Sequence, residues 1–144
     1  MTDTRNKAPY GWYVGSYLLR FVELADKRNN EAEKRYLTWE NTIIVKARNL
    51  AQAYDKLVKL AKRETKPYKG GVDGIDVQWR FEGVTKLLPI YEKLGDGAEI
   101  IWADHGMRKL ATMRKRARTK RELLHDWMLS PNKSLRRSAA RGAR

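Results

Sequence analysis

The sequence predicts an α+β fold: an antiparallel sheet of about four strands in the order β-β-α-β-β, one helix packed on it, and a long basic helix at the C-terminus. Three observations carry this. Residues 11–24 and 37–47 are aromatic and β-branched without a helical period. Residues 50–63 repeat apolar side chains at helical spacing, and Lys and Arg crowd the chain after residue 106. At 144 residues, 42% hydrophobic, with five Trp, seven Tyr and two Phe, the chain has material for one core and little more.

Taken in order, Gly11 to Leu24 (GWYVGSYLLRFVEL) reads as a first strand largely buried on both faces. The polar run Ala25 to Tyr36 reads as a solvated hairpin connection, and Leu37 to Ala47 (LTWENTIIVKA) as a second strand antiparallel to the first. Asn49 is placed to cap a helix over about 50–63, in which Leu50, Ala53, Tyr54, Leu57, Val58, Leu60 and Ala61 form one stripe. Pro67, Gly70, Gly71 and Gly74 punctuate a loop. Ile75 to Val84 (IDVQWRFEGV) then alternates Val77, Trp79 and Phe81 with polar residues, the cleanest strand signal in the chain. Lys86 to Leu94 contains Pro89 and is expected as an edge segment or irregular crossing. Ala98 to Ala103 (AEIIWA) reads as a short fourth strand, and 106–129 as a helix with the dense basic run MRKRARTKR in its middle. Residues 1–105 are thus expected as a compact domain, 106–129 as a basic helix and 130–144 as a disordered basic tail.

The formal net charge is +14 and is unevenly spread. Residues 1–105 hold 18 Lys/Arg against 15 Asp/Glu, whereas 106–144 hold 13 against 2. Such asymmetry points to a polyanionic partner. The absence of Cys excludes disulfides, thiolate metal sites and cysteine nucleophiles. No run approaches the roughly 18 apolar residues of a membrane span, so a soluble, cytoplasmic protein is expected.

Several short motifs occur together in order: Trp12-Tyr13-Val14, Trp39-Glu40, Val45-Lys46-Ala47, Ala53-Tyr54 after Asn49, Trp79 with Phe81 and Gly83, Leu87 to Tyr91, and Asp96 to Glu99. Across about residues 11–101 this pattern resembles a family of small bacterial domains of unknown function. The resemblance implies a compact β-β-α-β-β domain of bacterial or phage origin and no catalytic residues, and it does not extend to the basic segment.

No phosphate-cradling glycine loop, His-Glu-x-x-His or nucleophile elbow is present, so no enzyme, cofactor or metal is expected. Glu82, Glu92, Asp96, Glu99 and Asp104 would have to converge to form an acid/base or metal cluster; carboxylates at turns are more often simply solvated. The candidate nucleic-acid-binding residues are Arg108, Lys109, Arg114, Lys115, Arg116, Arg118, Lys120 and Arg121, with Arg136 and Arg137 in the tail. Like charges at i, i+3 and i+4 repel by a few tenths of a kcal/mol per pair, which an anionic partner would relieve. Trp79 with Arg80 is a weaker candidate for base stacking, because aromatics in strands are mostly core. The expected function is an accessory protein that engages nucleic acid non-specifically through phosphates. The alternative is a protein-interaction module, such as an immunity or inhibitor protein, directed at an acidic partner.

Overall fold

A computed structural model describes residues 6–128. Its elements are β1 (Trp12–Glu23), β2 (Thr38–Lys46), α1 (Leu50–Lys62), β3 (Tyr68–Gly70), β4 (Ile75–Pro89), α2 (Leu110–Arg116) and α3 (Lys120–Met128). The four strands form one antiparallel sheet in the order β2-β1-β4-β3. The chain is α+β, with the β-β-α-β-β order that the sequence predicts.

Alternation along the strands sorts the sheet into two faces. Tyr13, Gly15, Tyr17, Leu19 and Phe21 of β1 share a face with Trp39, Ile43 and Val45 of β2 and with Trp79, Phe81, Val84 and Leu87 of β4. On that face lies α1, burying Ala53, Leu57 and Ala61, one residue per turn. The helix starts where expected: Asn49 Oδ1 accepts from the Gln52 backbone N–H at 2.8 Å, and Gln52 Oε1 in return accepts from the Arg48 N–H at 2.7 Å. Tyr54, expected in the apolar stripe, is exposed.

Gly15 lets the helix come close. A Cβ there would stand 2.5 Å from a terminal methyl of Leu57. Around this contact Tyr17, Leu19, Leu57, Ala61 and Trp79 form the main core, and Ala8, Tyr13, Val45 and Ala53 a second cluster. Trp79 stacks at 4.5 Å from Trp39, meets Phe21 edge-on at 5.1 Å, and donates its indole N–H to the Tyr68 hydroxyl at 3.2 Å.

Three expectations are corrected. The segment from Lys86 is no separate crossing: β4 runs unbroken from Ile75 to Pro89, with Pro89 as its last residue, where the missing N–H costs no ladder bond. The disturbance in the sequence pattern comes from two register shifts against β1, which leave Glu82 and Thr85 without β1 partners. Gly83, between them, sits at φ 152°, which side-chain-bearing residues rarely adopt. Second, the fourth strand is Tyr68–Gly70, joined to β4 through a turn with Gly71 and Gly74 at positive φ. The segment 98–103 is not a strand and pairs with none of the four. Third, the basic helix is two helices. Ala117 is extended, and Thr119 restarts the chain by accepting from the Glu122 N–H and donating to its carboxylate, each at 3.2 Å.

The connection 25–36 is ordered against the opposite face of the sheet. Asn29, only 7% exposed, donates to the Glu23 carbonyl at 2.8 Å, and Tyr36 donates to the Arg28 carbonyl at 2.7 Å. The Asp26 carboxyl, bound by Lys34 and by the Arg28 backbone N–H, is held well below the usual carboxylate range.

Burial and the neighbouring Glu64 charge push the Tyr17 hydroxyl up, and burial also pushes Tyr68 up. Both folded values therefore exceed the unfolded value near pH 10. Their contribution to stability is intact below that pH and is lost as pH rises through the folded values. Thermal melts from pH 8 to about pH 11 are expected to fall above about pH 10, and Tyr17→Phe to make that fall shallower. Identical slopes in the two proteins would remove Tyr17 from the explanation.

Candidate nucleic-acid interface

All eight predicted basic residues of 108–121 are exposed. Arg108 and Lys109 precede α2, whose last turn carries Arg114, Lys115 and Arg116, and Lys120 and Arg121 open α3. Cations suit the C-terminal end of α2, where the backbone carbonyls point outward. At the start of α3 the same dipole opposes Lys120 and Arg121, and Glu122 in the first turn offsets it.

Arg118 departs from the expectation of a free phosphate ligand. It binds Glu122 at 2.8 Å and also pairs with Asp126, and the hydrogen bond from Arg118 holds the Glu122 carboxyl below its ordinary range. Among the described residues it is the one member of the basic run in an ion pair. The Arg108 guanidinium is oriented locally by a bond to the His105 carbonyl at 2.6 Å. Between this turn and α2 lies a cleft of about 610 Å³ lined by His105, Arg108, Thr112, Met113, Arg116 and Ala117. It combines two guanidinium groups with an apolar floor, which suits an anion attached to a flat or apolar group. Arg136 and Arg137 lie outside the described residues.

The stacking candidate fails on burial. Trp79 is 3% exposed and its ring faces are taken up by Trp39 and Phe21. Arg80 bonds Gln78 at 3.1 Å and Asn30 at 3.4 Å. The exposed indoles are instead Trp102 at 61% and Trp127 at 57%, which bracket the basic run in sequence. Sequence reasoning grouped Trp102 with the strand aromatics, which are mostly core, and placed Trp127 in a sparse apolar stripe of the long helix. Leu110 and Met113 of α2 and Leu123 and Leu124 of α3 are also exposed.

The cleft on the open sheet face, about 400 Å³, is lined by Leu18, Arg20, Asn30, Glu31, Tyr36, Thr38 and Glu82 among others. Its one central cation is committed internally: Arg20 bonds Glu82 at 2.7 Å, donates to the Asn29 carbonyl, and lies 4.5 Å over the Tyr36 ring. Glu82, Glu92, Asp96, Glu99 and Asp104 do not form a cation site; among the described residues no group of three or more potential ligands could hold a metal ion. No helix among them is long and apolar enough to cross a membrane.

Against known families, the profile of Domain of unknown function (DUF4288) matches residues 12–102, well over half the chain. The chain belongs to the DUF4288 family. No curated protein and no solved structure matches it. The DUF4288 match begins with β1 and ends at Trp102, so it takes in the sheet and α1 and stops short of α2 and α3. The basic arm lies beyond the matched residues.

Proposed function

We propose that this DUF4288 protein is a non-enzymatic accessory binding protein whose C-terminal arm engages nucleic acid through phosphates, without reading base sequence. The observation that carries the reading is the solvent exposure of Arg108, Lys109, Arg114, Lys115, Arg116, Lys120 and Arg121, none of them ion-paired among the described residues. Cations placed this way gain by releasing the counterions of a polyphosphate, an attraction that does not depend on sequence. Trp102 supplies an exposed ring ahead of the run, as binders of unpaired bases use.

The test is a salt titration of binding to a generic duplex and a single strand, with the full chain and a variant carrying Gln at those seven positions. Log K of the full chain is expected to fall linearly with log salt, with a duplex slope of about −0.9 per phosphate contacted, and the variant to lose most of both affinity and slope. Equal binding by the two proteins, or no binding by the full chain at low salt, would overturn the proposal.

A second reading, a protein-interaction module of the immunity or inhibitor kind, draws on a different observation. Leu110, Met113, Leu123 and Leu124 leave the apolar stripes of both short helices open to solvent beside the basic residues. An acidic protein with an apolar groove would cover them, and its binding would depend on a few apolar anchors rather than on total charge.

A further inference from the structure

We propose that β2 is a self-pairing edge, joining two copies of this chain into one continuous eight-stranded sheet. The two edges of the sheet are unequal. On one side β3 has three residues and covers only residues 75–77 of β4, whose length beyond is interrupted by two register shifts and ends in Pro89; on the other β2 has nine residues, contains neither Gly nor Pro, and keeps an unbroken register with β1 from Thr38 to Lys46. Edges of this kind are usually shortened, bulged or covered, because their outward N–H and C=O groups are ready to pair.

Hydrogen bonds show which groups point outward. Phe21 donates to the Leu37 carbonyl and Ala47 to the Gly11 carbonyl, so the odd-numbered residues of this strand turn their backbones toward β1. Thr38, Glu40, Thr42, Ile44 and Lys46 turn theirs away. In agreement, the Lys46 carbonyl accepts from the Lys56 ammonium at 3.0 Å on the outer side. Among the described residues the remaining outward groups of β2 meet no backbone partner. α1 packs most heavily against β4, and of its side chains Lys56 reaches the outer side of β2 at Lys46.

The sequence of β2 selects the partner and the register. Antiparallel pairing of two identical strands keeps both faces of the sheet continuous only if even-numbered residues meet even-numbered ones. Centred on Ile43, this register sets Glu40 opposite Lys46 of the second copy twice over, Thr42 opposite Ile44, and Ile43 opposite itself. Shifting the centre to Thr42 sets Glu40 opposite Ile44 and loses both charge pairs. Across a two-fold axis Glu40 and Lys46 complement each other. Glu40 accepts a bond from Thr85 at 2.7 Å through Oε2, leaving Oε1 without a partner among the described residues, and Lys46 stands over the Trp12 ring at 5.6 Å on a flexible stem. The pairing is independent of the basic arm.

The experiment is sedimentation equilibrium of the full chain up to millimolar concentration, after nuclease treatment so that bound nucleic acid cannot bridge copies, and at low to physiological salt so that the charge pairs are not screened out. A monomer–dimer equilibrium is expected. Glu40→Lys and Lys46→Glu each place like charges opposite one another and are expected to weaken it by about tenfold, while the double exchange restores it. Ile44→Pro removes an outward N–H while leaving the ladder to β1 intact, and is expected to give a monomer with unchanged far-UV circular dichroism. A wild-type chain that stays monomeric, or a dimer indifferent to both charge reversals, would overturn the proposal.

Discussion

Trp79→Ala is expected to destabilise the domain by about 3–5 kcal/mol, which is a large share of the roughly 5–15 kcal/mol that holds a domain of this size together. The indole sits at the crossing of every apolar element. It stacks on Trp39, meets Phe21, hydrogen-bonds Tyr68 and belongs to the cluster formed with Leu57 and Ala61 under α1. Removing it opens a cavity and strands the Tyr68 hydroxyl. Trp79→Phe keeps most of the volume and should cost a fraction of that. Urea unfolding measures both: the midpoint shifts and the slope is unchanged. A cost under about 1 kcal/mol for the Ala variant would instead describe an indole at the surface, as a sheet-type base binder requires.

The second large effect concerns Gly15 and Leu57. Leu57→Ala removes a fully buried side chain and should cost about 2–5 kcal/mol. Gly15→Ala should cost about 1–3 kcal/mol, because its new methyl meets Leu57 at 2.5 Å with both branches of that side chain enclosed. The two changes are not additive. In the Leu57→Ala background the added methyl enters vacated space, so Gly15→Ala should become nearly neutral or stabilising, and the double-mutant cycle should show coupling of about 1–3 kcal/mol. Additive costs would mean that the helix does not approach the sheet at Gly15.

The candidate interface divides along a similar line. That the arm is basic was legible in the counts of Lys and Arg, since charge composition needs no coordinates. The Thr119-x-x-Glu122 capping signal was also present in the sequence, and it marks the break between α2 and α3 that a single long helix overlooks. The i, i+4 spacing of Arg118 and Glu122 was likewise present in the sequence, whereas the further pairing of Arg118 with Asp126 is seen only in the structure.

By itself the sequence determined what local periodicity and local chemistry determine: β1 and β2 by their aromatic and β-branched runs, α1 by its stripe and the Asn49 cap, the first ten residues of β4 by alternation, and the net charge of the arm. Only the tertiary structure decided which segment supplies the fourth strand, that Lys86 to Pro89 continues β4, which tryptophans are covered, and that β2 lies at an edge of the sheet. These are questions of partnership between segments distant in sequence. A ladder has a limited number of places and a core a limited volume, and neither limit is written in the pattern of any one segment.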